Sequence, residues 1–355
     1  MPVGNFRTAA ARRTTGAIIA GTLALTAVTG CAPDRALNPS ASASPPWIST
    51  YETPKPTEIA PLRGTTVPGG SLDHASIAAK IDNHWDARPQ VGLELTDLVF
   101  EELVEGGITR YVAVWQSIIP ELLGPVRSIR PMDPDIVSPF GGIICYSGGQ
   151  QRFVRLMEQT PVYNAIHGQA DTDSTFFRTN TKDSPHDVLV RAQKLLAQHT
   201  DIAPPQQQYA YALDAASSTA GKDGAPTAAV AYQFSYSFYG SWLWNADAKL
   251  WLRTQQGDVD KDSNGNQLSA ANVVVLRVTV VNDGGVPKTV LSGSGEAWVS
   301  SGGGTIHGTW SKSSATDPIR LVDENGVTIR LAAGNTWFEL LPPDGSVSFV
   351  APTTP

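Results

Sequence analysis

The chain has 355 residues, a formal charge of −7 and only 17% charged residues. A sparsely charged, net acidic chain lacks the basic surface that nucleic-acid binding requires, so no nucleic-acid partner is expected. Two cysteines exclude a disulfide scaffold, and a chain of this length can bury a core without one.

Residues 1–30 read as an export leader. Arg7, Arg12 and Arg13 give a basic start, and an apolar run follows from Ala17 to Val28. That run is short of the roughly 20 residues a bilayer-spanning helix needs and suits a signal-peptide core. It ends in Val28-Thr29-Gly30-Cys31, an aliphatic residue and two small ones before a cysteine, which resembles the bacterial lipobox. Diacylation of Cys31 would hold the chain on the outer face of a membrane, since about 0.8 kcal/mol per buried methylene over two chains gives stable anchoring. Residues 31–61 carry seven prolines among Ser and Ala, and are predicted to form an extended, mobile tether.

Residues 62–202 carry mixed α/β patterning. Strands are predicted at 75–82, on either side of Gly106-Gly107 as a hairpin, and at 141–146, with a helix over 150–159. Ser184-Pro185-His186-Asp187 has the pattern of a capped helix start, predicting a helix through about His199. A linker rich in Pro, Gln, Ala and Gly covers 203–227. Beyond it, 228–352 predicts an antiparallel β-rich unit with strands at 228–238, 249–254, 272–281, 295–300, 304–310, 327–331 and 335–341. Cys145, in an apolar strand without basic neighbours, reads as an inert buried thiol.

The segments IDNHWDARPQVGL, EGGITRY, GPVRSIR and SPH resemble the YerB-like bacterial lipoproteins, a family of unknown function. NVVVLRV, LSGSGEAWV, GTW and GNTWFEL extend the resemblance through the C-terminal half, so it covers about 62–350. The resemblance implies a mixed α/β fold described as a three-layer ββα sandwich, and a surface-anchored lipoprotein. It implies no reaction.

Chemistry-bearing residues crowd into these segments. Asp82, Asn83, His84, Arg88, Glu105 and Arg110 fall within thirty residues of one another, and Arg127, Arg130 and His186 follow. Guanidinium groups match carboxylate and phosphate oxygens bidentately, so arginines converging at one end of a sheet would form an anion pocket. The competing reading is an ion-pair scaffold in which Asp82, Asp86, Glu101, Glu102 and Glu105 pair with those arginines. His84, beside Asp82, is the acid–base candidate. His84, His167 and His186 show no i, i+4 spacing, so no metal is expected, and no motif calls for a cofactor. DKDSNGN (260–266) imitates a calcium loop but places Ala271 where the bidentate Glu belongs, and reads as a turn. Six of the nine tryptophans lie in the C-terminal half, and most of them are predicted to be core, though exposed indoles could stack on sugar rings.

Two functions are compatible with this pattern. One is a binding module for an anionic wall polymer, a lipid headgroup or an envelope protein. The other is an envelope enzyme acting on a phosphorylated or carboxylated substrate with the same Arg, Asp and His groups. In either case the lipobox sets the address: Cys31→Ser is expected to release the protein from the membrane fraction or leave it unprocessed. Normal processing with membrane retention, read by fractionation and mass spectrometry, would contradict the assignment.

Overall fold

The computed structural model describes residues 49–353. The leader, Cys31 and the tether through residue 48 lie outside the described residues. The compact unit starts at Pro54. Structure therefore begins inside the stretch expected to be tether. Thr57–Ile59 pairs antiparallel with Thr66–Pro68, and the fully buried Ala60 and Leu62 pin the segment to the core. Among the described residues no helix is long and apolar enough to cross a membrane.

The N-terminal half supplies strands β1 (Ile77–Asp82), β2 (Leu98–Leu103), β3 (Thr109–Trp115), β4 (Ile143–Tyr146) and β5 (Tyr163–Ile166). Helices α1 (Asp133–Val137) and α2 (Gln151–Glu158) fall between them. Then come β6 (Phe176–Arg178), β7 (Val188–Arg191) and the short α3 (Ala192–Ala197). The C-terminal half contributes β8 (Ala229–Gln233), β9 (Tyr239–Asn245), β10 (Leu250–Gln255), β11 (Asn272–Arg277), β12 (Gly293–Ser301), β13 (Gly304–Lys312), β14 (Thr336–Leu341) and β15 (Ser346–Val350).

The two halves share one eleven-stranded sheet, whose central run is β13-β12-β11-β14-β2-β3-β1-β4-β5. The junction is β14, which lies parallel to β11 on one side and to β2 on the other, with Trp337 opposite both Val273 and Val99. One face of this sheet packs Phe100, Val112, Ile144, Val274 and Phe338 against the helical segments through Met132, Ile136, Phe153 and Met157. The other face packs Val99, Ala113, Val275 and Trp337 against a second sheet, β10-β9-β8-β15, through Tyr232, Trp242 and Trp251. The result is the mixed α/β, three-layer ββα arrangement. Strands β1 and β3 are buried at every position, because both faces of the sheet are covered.

The β2–β3 hairpin turns through Gly106 and Gly107 at φ 75° and 73°, where a side chain would be strained. The helix expected from Ser184 is absent over its first half. Val188, Leu189 and Val190 form β7, which pairs with β6 and with Leu122–Leu123, and the helix is confined to α3. Buried β-branched residues decide that segment against the capping pattern. Residues 234–238 turn where one strand was expected, so 228–245 makes the β8–β9 hairpin. Residues 327–331 make only isolated bridges, at Thr328 and Leu331.

The interface between the sheets contains an ionic centre. Arg253, fully buried on β10, donates to Glu101 at 2.6 Å, to the Tyr232 hydroxyl at 2.9 Å and to Gln255 at 2.7 Å, and contacts Asp260. Its guanidinium sits 4.8 Å from the Trp337 ring centroid. Glu339 on β14 accepts from the Trp242 indole at 2.9 Å. Burial, and then the neighbouring Glu101 carboxylate, push the Glu339 carboxyl well above the usual carboxylate range. The folded state thus gives up the Glu339 proton at a higher pH than the unfolded chain, where it ionises near pH 4. The folded state binds the extra proton between those two values, so this group's contribution to stability falls as pH rises. Glu339→Gln keeps the neutral donor and removes the titration. Its melting temperature relative to the parent is expected to climb from pH 5 to pH 9; a gap that stays constant with pH would contradict a neutral Glu339.

Candidate functional site

Asp82 is the last residue of β1 and is 1% exposed. Strand parity puts Lys80 and Asp82, Glu102 on β2 and Arg110 on β3 on the helix-covered face, with Asp82 and Arg110 in direct register. A carboxylate buried at a strand end must find donors. Its Oδ2 lies 2.9 Å from Arg127 Nε and accepts from His186 Nδ1 at 2.7 Å, while Oδ1 accepts from the His84 backbone N–H at 3.1 Å. The chain around Arg127 is fixed by the backbone: Asp82 N–H donates to Pro125 O, and Arg127 N–H to Lys80 O.

A carboxylate only accepts, so His186 donates through Nδ1 and its Nε2 is left free. The His84 ring stacks on His186 at 4.8 Å and 17°, with Trp85 tilted against it at 4.0 Å. His84 Nδ1 accepts from Asp86 N–H at 3.3 Å and caps the short turn Trp85–Ala87. Burial, and then the facing His186, pull the His84 imidazole below its ordinary value, against the opposing Asp86 and Asp82 carboxylates.

The four arginines divide. Arg110, Arg127 and Arg130 share the Asp82 end of the sheet. Arg130 donates through Nε to Glu105 at 2.7 Å and through NH1 to Ser128 O and Ile129 O. Burial would raise Glu105, but the Arg130 hydrogen bond and charge hold it below the ordinary carboxylate value. Arg110 donates to Ser128 O at 2.8 Å and has a buried Nε with no partner. Burial, then the neighbouring Arg130 and Arg127, bring its guanidinium down to about 10. Arg88 is elsewhere. It is tied to Asn83 Oδ1 at 3.1 Å, Asn83 O at 2.8 Å and Gln256 at 2.7 Å, over the Phe238 ring. Asn83 in turn is buried and donates to Thr109 at 2.8 Å and to Glu101 at 3.3 Å.

Beneath the arginines lies a further buried ion cluster, built on Lys80 and Asp133, which sequence reasoning does not single out. Lys80 contacts Glu102 and donates to Asp133 at 2.8 Å, and Asp133 accepts from Arg130 N–H at 2.6 Å. A lysine inside an apolar strand is the signal that could have found it. A polar cleft of about 550 Å³ opens beside His186, lined also by Asp86, Arg88, Asn180, Lys182 and Ser184. Lys182 donates to Arg88 O at 2.8 Å, and burial lowers its ammonium.

The other candidates resolve simply. Cys145 is fully buried, and burial alone raises its thiol far above its ordinary value. In the 260–266 segment Asp262 accepts from the N–H groups of Asn264 and Asn266, which closes a turn, and Asp260 is committed to Arg253. Trp242, Trp251, Trp310 and Trp337 are at most 2% exposed, whereas Trp85 is 54% exposed beside the cleft.

Two family descriptions match this chain in order: the N-terminal domain of a protein of unknown function (DUF3048) over residues 62–203, and its C-terminal domain over 229–338. The chain belongs to the DUF3048 family. Among its relatives is the Bacillus subtilis (strain 168) protein named "Putative lipoprotein YerB", 24% identical over 305 residues, which cover 80% of this chain and 86% of that protein. The crystal structure of YerB from Bacillus subtilis superposes with a TM-score of 0.70 at 22% identity, covering 82% of this chain and 99% of that one. The DUF3048 chain described here thus has the YerB fold and a lipoprotein relative, and the family description carries no activity.

Proposed function

We propose that this protein is a lipoprotein, anchored through Cys31 on the extracytoplasmic face of the cell membrane, that binds an anionic envelope ligand in the cleft between the 84–88 and 180–186 loops. The observation that carries the reading is His186: its Nδ1 is held by buried Asp82 at 2.7 Å, and its ring lines a polar cleft shared with Lys182 and Arg88. Deeper in, Lys80 meets Glu102 and Asp133, Arg127 meets Asp82 and Arg130 meets Glu105, while Arg110 donates to Ser128 O. That cluster stiffens the cleft wall and leaves the ligand's charge to the groups at the mouth.

The Asp82–His186 pair also favours a second reading, an envelope enzyme on a phosphorylated or carboxylated substrate with His186 Nε2 as base. Binding is placed first because no Ser, Thr or Cys side chain among the described residues hydrogen-bonds to either imidazole.

The test is titration with polyglycerol phosphate oligomers and a muramic-acid fragment, by calorimetry. A charge-assisted hydrogen bond contributes about 1.5–3 kcal/mol, and 1.4 kcal/mol is about a tenfold change in affinity. Lys182→Ala is expected to weaken binding about tenfold or more with an unchanged melting temperature. Undiminished affinity in a folded Lys182→Ala and His186→Ala pair would overturn the cleft as the site, and turnover of a phosphate ester would favour the enzyme.

A further inference from the structure

We propose that His84, Asp86 and His186 form a divalent transition-metal site at the mouth of the cleft. One donor atom from each of the three lies within 4.8 Å of the others. Local spacing hides this group, because His84 and Asp86 come from one turn and His186 arrives from a loop about a hundred residues later. Sequence spacing argues against a metal only in the i, i+4 sense, and long-range pairs escape that test.

The support behind His186 is the stronger observation. Metal-bound histidines almost always donate their other ring N–H to a carboxylate or carbonyl, which fixes the tautomer and raises ligand basicity. Asp82 does this for His186. It is itself held in place by Arg127 Nε at 2.9 Å and the His84 N–H at 3.1 Å, and it is 1% exposed. The free edge of His186 is thereby its Nε2, on the cleft side. His84 Nδ1 accepts from Asp86 N–H at 3.3 Å and also lies 3.3 Å from the Asp86 carboxylate. The two rings are stacked, so a turn of the His84 ring is needed to bring the three donors to about 2 Å from a common point. The Asp86 carboxylate is 64% exposed and free to follow. Lys182, which lines the same cleft, donates to Arg88 O at 2.8 Å.

Two imidazoles and one carboxylate suit zinc, cobalt or nickel over calcium or magnesium, which prefer oxygen donors. Three protein donors at a cleft mouth leave coordination positions open to water or to an oxyanion. The site shares His186 with the anion reading but is tested apart from it, since metal binding is measured without any anionic ligand.

The experiment uses the full-length chain in detergent, free of purification tags, titrated with Zn²⁺ by calorimetry and with Co²⁺ by visible absorption at pH 7.5. One ion per chain is expected, with a Co²⁺ spectrum of nitrogen and oxygen donors. His186→Ala and His84→Ala are each expected to abolish that spectrum while far-ultraviolet circular dichroism is unchanged. Asp82→Asn is expected to weaken Zn²⁺ about 10–100-fold, the usual effect of removing the hydrogen-bond partner behind a ligand. Asp86→Asn, at an exposed position, is expected to weaken Zn²⁺ as well without threatening the fold. Absence of saturable one-to-one binding, or equal affinity in the parent, His84→Ala and His186→Ala, would overturn the proposal.

Discussion

A single buried carboxylate organises this end of the molecule: Asp82 receives an imidazole, a guanidinium and a backbone N–H from three separate segments. The backbone brings Arg127 alongside β1 and His84 follows directly on it, whereas His186 reaches the carboxylate from a distant loop. His186 sits on the approach to β7, Arg127 on the segment running beside β1, and His84 on the turn that follows it. Burying a carboxylate without donors costs several kcal/mol, so once β1 is inside the sheet its last side chain selects the loop arrangement that supplies them. The cleft is the space left between those loops. Its shape follows from that selection.

The same physics operates on the opposite face of the sheet, where Arg253 is enclosed by Glu101, Asp260, Tyr232 and Gln255 under the Trp337 ring. Glu101 belongs to the N-terminal half, Arg253 to the second sheet and Trp337 to β14. An isolated half would leave an uncompensated charge in its interface. The parallel pairing of β14 with β2 and this ionic centre act together, and they make the two matched family regions a single folded body. The Asn83 amide, bonded to both Glu101 and Thr109, ties this interior network to the turn that carries His84 and Arg88.

Much of this was legible in the sequence where a local pattern decides the outcome. The Gly106-Gly107 hairpin, the α2 helix and most C-terminal strands follow from periodicity and turn chemistry, but of Phe153, Leu156 and Met157, which helical spacing puts on one face, Leu156 is 40% exposed. The fold class followed from the resemblance and from the runs of strands. The crowding of Asp82, Arg110, Arg127 and Arg130 also pointed to one end of the sheet. Arg88 escaped because its neighbours, Asn83 and Gln256, are amides without charge, one of them in the far half of the chain. The capping pattern at Ser184 lost to the burial of Val188 and Val190, a tertiary effect that propensity does not encode. The Asp82–His186 contact spans 104 positions, and no local spacing announces it. Arg253 had a signal that could have been read: it stands between Trp251 and Gln255 at the inward parity of its strand.

Asp82 is the group that fixes His186 in the Nδ1–H tautomer with Nε2 free. Long-range ¹H–¹⁵N correlation spectra of the histidine side chains measure that directly. In its neutral imidazole form His186 is expected to show a slowly exchanging Nδ1 proton and an unprotonated Nε2, and Asp82→Asn to lose that tautomer preference while the other histidine signals hold. A His186 protonated at Nε2 alone, or one whose spectrum is unchanged by Asp82→Asn, would contradict it.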